Sequence, residues 1–186
     1  MNIHAAIPLP TRPDEFLRWN EDREGKREFV EGKIVEMMVH TTRYHAMLSL
    51  RFANEFVNQL SWQNFVVTSA GFAIKMDQSV RYPDVLVERA GGDGKALATT
   101  EPLIVVEVLS PSTRKTDLGA KRIQYQSIPS MLHYLAVEQD QQKIMLRSRQ
   151  SDGVWSDMIE VPMATPFTLS GLNVTMDPVK IYAGIV

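Results

Sequence analysis

Over 44–60, apolar residues return at Tyr44, Leu48, Phe52, Phe56 and Leu60, and Met47, Ala53 and Val57 widen the stripe. That spacing is one face of an α-helix. The run Leu103-Ile104-Val105-Val106-Glu107-Val108-Leu109 has no helical period and predicts a central strand covered on both faces. Pro111 ends it. Ser112 or Thr113 can cap the helix that follows, which runs to about residue 127 before Pro129 blocks it. Gly119 inside that helix costs about 1 kcal/mol relative to alanine, so close packing is expected there.

Earlier in the chain, Thr11 can cap a helix with Pro13 in its first turn and Phe16, Leu17 and Trp19 as contacts. Two short runs, 28–30 and 33–37, flank Glu31-Gly32 and predict a hairpin. Residues 65–75 predict a β segment bent at Gly71, and 81–88 a strand entered through Pro83. Gly91-Gly92-Asp93-Gly94 predicts a flexible surface loop. The remainder, 132–137, 143–147, 154–161 and pieces through 175, is strand-like. With no internal repeat or dividing linker, the 186 residues are expected to form a single α/β (α+β) domain.

Composition narrows the function classes. Hydrophobic residues make up 44% of the chain, enough for a sizeable core, and the net charge of −2 gives no global basic field. Cysteine is absent, which excludes disulfides and thiolate-bound zinc. There is no apolar run of roughly 18 residues and no signal-peptide pattern at the N-terminus, so a cytoplasmic protein without membrane contact is expected. His4, His40 and His133 show no metal-ligand spacing, and neither a Walker A nor a G-x-S-x-G motif is present.

The oddity is Glu107. A buried carboxylate is costly unless paired, hydrogen-bonded or bound to metal, and alternation puts Glu107 on one face with Leu103, Val105 and Leu109. An arginine such as Arg114 or Arg122 is one expected partner. Asp84, fixed at a strand entry by Pro83, is another kind of neighbour: carboxylates on adjacent strands can share a hard cation such as Mg²⁺. On the next helix Asp117, Lys121 and Tyr125 form one stripe that can face the same place, although Asp117 and Lys121 also suit an ordinary i,i+4 pair.

The segments RYPDVLVE, LIVVEVLSPST and DLGAKRIQYQ resemble the PD-(D/E)xK nuclease superfamily, and more closely its Uma-type restriction endonuclease family. EFVEGKIVEM, the helix with His45, MLHYLAVEQD and SGLNVTM extend the similarity over nearly the whole chain. The resemblance implies a restriction-endonuclease-like mixed sheet flanked by helices, with an N-terminal helix and hairpin. It also implies a Mg²⁺-dependent endonuclease, with Mn²⁺ as a substitute, in which Asp84 and Glu107 are catalytic metal ligands. The motif lysine is expected two residues after the second acid, where this chain has Leu109; the family resemblance shifts that role to Lys121. His45 and Glu28 match family positions and are expected as supporting residues with Asp117 and Tyr125. Each of the two also suits a plain structural role, His45 as a packing residue and Glu28 as a salt-bridged strand residue.

DNA is the expected substrate, with RNA as the alternative, and Arg43, Lys75, Arg81, Lys115 and Arg122 the expected backbone contacts. Two scissions in a duplex are conveniently made by two sites, so a homodimer is the expected assembly. The missing lysine and the acidic balance also suit a catalytically inactive nucleic-acid-binding or protein-interaction module on the same fold. A third reading is a β-rich oligomer subunit, in which an internal arginine satisfies Glu107 and Glu107 lines no cleft.

Overall fold

The computed structural model describes residues 8–37 and 40–185; His4 lies outside them. A six-stranded sheet forms the centre, in the order β11 (Ile159–Glu160), β10 (Ile144–Ser148), β9 (His133–Glu138), β8 (Pro102–Leu109), β6 (Val85–Arg89), β3 (Phe65–Ser69). Only β8 and β9 run parallel in it, and the crossover between them carries the helical segments at 114–126. A five-stranded sheet has the order β2 (Lys33–Met37), β1 (Lys26–Val30), β5 (Ser79–Arg81), β4 (Ala73–Lys75), β7 (Ala98–Thr99). The short hairpin of β12 (Phe167–Leu169) and β13 (Val174–Met176) stands apart from both sheets.

Each sheet face is covered by the helix whose apolar stripe fits it. Leu48, Phe52 and Phe56 of α2 (Arg43–Gln59) join Val106, Val108 and Leu135 in the largest core cluster. On the opposite face Tyr125 and Ile128 pack with Val105, Leu109 and Tyr134, and Phe16 of α1 (Pro13–Asn20) packs on Phe29 and Val80 of the smaller sheet. The hairpin forms as expected. Its two-residue turn has Glu31 and Gly32 at φ 48° and 81°, the left-handed pair that the twist of a tight hairpin requires.

Several boundaries differ from the sequence pattern. The stretch 65–75 is two strands in two sheets, β3 and β4, broken where Ala70 and Gly71 take positive φ. The stretch 81–88 breaks likewise at Pro83-Asp84, because the proline lacks the amide a ladder needs, leaving β5 in one sheet and β6 in the other. A bulge between Val87 and Glu88 turns Leu103 out of the Glu107 face and into the α2 core. Within 154–161 only β11 is a strand, and 178–182 is a helix, α5 (Pro178–Tyr182), capped by Asp177.

Two helix caps also differ. Arg12 rather than Thr11 precedes α1, while Thr11 holds Glu15 through both its amide and hydroxyl. Thr113 does stand at the N-cap of the later helix, but its side chain makes no capping hydrogen bond. That helix runs as α3 (Arg114–Thr116), a widened π turn (Asp117–Lys121) and α4 (Arg122–Gln126), kinked at Gly119. A Cβ at Gly119 would meet nothing within 4 Å, so close packing is not the reason for this glycine; its φ and ψ of −109° and −109° mark the kink. No helix among the described residues is long and apolar enough to cross a membrane.

Candidate active site

Antiparallel register sets Val85 opposite Val106, so Asp84, one residue before β6, stands opposite Glu107. The Asp84 carboxylate is held twice. Oδ2 accepts the Val108 amide at 2.8 Å, and Oδ1 accepts from His45 Nε2 at 3.0 Å. His45 arrives on the first turn of α2, whose start is fixed by Thr42 accepting the His45 amide. Thr42 is itself bonded to buried Gln139, which donates to the Leu109 carbonyl at 2.7 Å.

Glu107 is 3% exposed, and its Oε1 receives both the Lys121 ammonium at 2.8 Å and the Tyr125 hydroxyl at 3.1 Å. Arg114 and Arg122, the arginines considered for it, are engaged elsewhere, with Glu138 and with the Leu118 carbonyl and Gln126. Leu109 packs in the apolar cluster beside Tyr125, so the ammonium at Glu107 comes from Lys121. Lys121 is 4% exposed and also lies 3.3 Å from Glu28 and 3.6 Å from Asp117. Asp84 is not among the carboxyls within 4 Å of it. The stripe of Asp117, Lys121 and Tyr125 is therefore brought to one place together with Glu28 and Glu107, while Tyr125 holds Glu107 rather than Lys121.

Arg81 differs from its expected place. Instead of facing a nucleic-acid backbone it is buried, pairing with Glu28 Oε2 at 2.7 Å and donating from Nε to Gln124 at 2.9 Å. Lys75 pairs with Asp14. Arg43 and Lys115 are exposed. Sequence reasoning missed the internal role of Arg81 and the Gln139 link. A charged residue in a strand as short as β5 gives no alternation to read, whereas Gln139, a polar residue closing an apolar strand, was a usable signal.

The electrostatics follow from one ammonium shared among three carboxyls. Burial opposes the charge on Lys121, but Glu107, Glu28 and Asp117 outweigh it and hold the amine firmly protonated. Burial also pushes Glu28 upward, yet the Lys121 and Arg81 charges win and keep it below the usual carboxylate value. Glu107 and Asp117 go the other way: burial raises both, against Lys121, and neighbouring carboxyls add to it. His45 is held below the ordinary imidazole value, chiefly by burial and against the pull of Asp84.

These groups line a cavity of ≈ 430 Å³, together with Lys26 and Arg27 of β1, Tyr82, and the hydroxyls of Thr41, Thr42, Ser110, Ser112 and Thr113. Among the described residues no three His, Asp or Glu side chains converge as a ready-made metal cage. The donor set still fits a hard divalent cation that keeps most of its water. Four carboxyls, Glu28, Asp84, Glu107 and Asp117, stand against two fixed cations, Arg81 and Lys121, and both described bonds to Glu107 end on Oε1.

Comparison with known proteins agrees with this architecture. The chain superposes on a structure described as a putative nuclease belonging to DUF820 from Anabaena variabilis, with a TM-score of 0.76 at 12% identity, over 95% of this chain and 100% of the other. That likeness establishes the restriction-endonuclease-like fold. Among sequence relatives, the uncharacterized protein slr1290 of Synechocystis sp. is 33% identical over 154 residues, 81% of this chain and 80% of its own length. The uncharacterized protein sll1609 of the same organism is 26% identical over 146 residues, 76% and 82% of the two chains. The Uma2 family model, described as "Putative restriction endonuclease", matches residues 13–175. The chain belongs to the Uma2 family.

Proposed function

We propose that this protein is a divalent-metal-dependent nuclease that hydrolyses phosphodiester bonds of DNA. The observation that carries the proposal is the buried Lys121–Glu107 pair at 2.8 Å, opening into a cavity that Asp84 also lines. The family and the fold neighbour bear names of nucleases, which supports the same chemistry. Asp84 and Glu107 would hold Mg²⁺ or Mn²⁺. A cation bound there supplies Lewis-acid polarisation of the phosphate and a lowered pKa for the attacking water.

The chain's own groups prepare the rest. His45 and the Val108 amide fix both oxygens of Asp84, so that carboxylate is aimed before anything binds. The Tyr125 hydroxyl, whose pKa burial raises, keeps its proton and orients Glu107. Glu28, kept ionised by Lys121 and Arg81, shares the ammonium with Glu107. Lys121 has three carboxyls within 4 Å and is closest to Glu107, the partner a cation would claim. Purified protein should nick plasmid DNA with Mg²⁺ or Mn²⁺ and lose this with EDTA; equal cleavage by Glu107→Ala would identify a contaminant and end the assignment. Two copies of the chain would conveniently cut both strands.

The saturation of Lys121 favours one other reading, a non-catalytic module on the same fold. Calorimetry separates the two: no heat with Mg²⁺ or Mn²⁺ assigns the module.

A further inference from the structure

Three cations line the cavity besides its histidines: Lys26, Arg27 and Lys121. Lys121 is spoken for. Lys26 is exposed, and among the described residues no carboxylate lies within 4 Å of its amine. It stands two residues before Glu28 on β1, and a strand sends alternate side chains to one face, so the two point to the same side as the carboxyl cluster. Arg27, on the other face, has its Nη1 buried without a hydrogen-bond partner. Its Nε is 3.6 Å from Glu36, a residue 81% exposed, and its guanidinium carbon is 5.9 Å from the Trp19 ring centre. The Arg27 side chain keeps 18% exposure, and its one ion pair among the described residues is this loose one to Glu36, so part of its fork is still open to an acceptor. Lys26 and Arg27 also line a second cavity of ≈ 280 Å³ reached past Tyr82, so they bridge the carboxyl centre and the adjoining surface.

We propose that Lys26 and Arg27 form the phosphate-binding site that seats the nucleic-acid backbone over Glu107 and Asp84, with Lys121 kept for the interior. This rests on the nuclease reading in that the ligand is a phosphodiester. A strand crossing the edge of β1 would set one phosphate on the Lys26 ammonium while the arginine fork, on the other face, takes an oxygen of the next phosphate. Chemistry would then proceed one residue further along β1, beside Glu28. The sharing of labour explains how the site works with Leu109 in the motif lysine's place: the cation that meets substrate comes from the hairpin, not from the strand that carries the second acid.

The test measures binding apart from cleavage. A fluorescent DNA duplex is titrated by anisotropy in Ca²⁺ over a series of salt concentrations. Each lost phosphate contact should reduce the slope of log K against log salt by about 0.9, so Lys26→Ala should lose about 1 and the Lys26→Ala/Arg27→Ala pair about 2. Lys26→Arg should restore the slope, and Lys180→Ala, on α5, should leave it alone. An unchanged slope in Lys26→Ala and in the pair, with wild type binding and cleaving normally, overturns this inference and spares the nuclease reading. Binding that depends on Lys26 in a wild-type protein that never cleaves does the reverse. If wild type binds no DNA, both fall.

Discussion

At the end of β8 and β9 that carries Glu107, four buried or half-buried carboxyls face two fixed cations. At the opposite end, where β9 begins, a buried histidine has a partner on each nitrogen: Ser148 at 2.9 Å and the Ser170 carbonyl at 2.8 Å. Beside it Arg149 donates to the carbonyls of Met131, Gln126 and Ile128, each within 2.9 Å. One parallel strand pair thus buries polar groups in two ways. The His133 end is neutral or neutralised by backbone dipoles and closed; the Glu107 end is left with excess negative charge and opens to a cavity. Burial alone does not mark a site, since both ends are buried. Imbalance of charge beside an opening does.

The contrast breaks most sharply at Lys121. Lys121→Met leaves Glu28, Glu107 and Asp117 without their shared ammonium and should lower the free energy of unfolding by about 3–5 kcal/mol in urea melts. Adding Glu107→Gln to that variant should recover part of the loss, because one fewer charge is stranded. A cost below about 1 kcal/mol would mean that the ammonium does not hold the cluster together. Next in size, Glu107→Gln alone should reduce metal-dependent cleavage roughly 10²–10³-fold while leaving the urea midpoint equal or higher, since it relieves a net negative interior. A variant that loses stability and activity in step would make this end as structural as the other.

His133→Ala should do the opposite. Two polar partners lose their bonds, at about 1–3 kcal/mol, and cleavage per folded molecule should be unchanged. The smallest effect is in the pH dependence, where the two ends have opposite signs. His133 is held below its ordinary value of 6.5 by burial, so below pH 6.5 the unfolded chain takes up the proton first and stability falls as pH falls. Glu107 and Asp117 are held above their ordinary 4.5 and 3.8, so the folded chain keeps protons the unfolded chain has lost. Their contribution is present below those values and fades as pH rises through the raised ones. Melts of Glu107→Gln/Asp117→Asn and of a His133 variant should each remove one slope; a single slope surviving both would show that neither end sets it.

Glu107 was legible because one charge interrupts a run of seven, and a strand's alternation says which way it points. Its partners were legible through the i,i+4 spacing of Asp117, Lys121 and Tyr125, which survives the π turn closely enough to keep all three on the site. What failed depended on breaks in the chain. Pro83 reads as the entry to one strand, whereas it is the break that leaves Arg81 in one sheet and Asp84 just ahead of the other, and only that division lets Arg81 turn inward to Glu28 while Asp84 turns to Glu107. Gly119 misled for a related reason: a glycine that serves a kink looks the same in sequence as one that serves close packing.

The site joins residues far apart in the chain. His45 to Asp84 spans 39 positions, Arg81 to Glu28 spans 53, and Lys121 closes onto Glu28 from β1. At ribosomal rates of roughly 5–20 residues per second, Lys121 is made about 5–20 s after Glu28. Until then the growing chain holds the first acids without the cation that unites them. A molecule cut short before Lys121 therefore carries no assembled centre, and whatever hydrolytic power the protein has waits for that one residue.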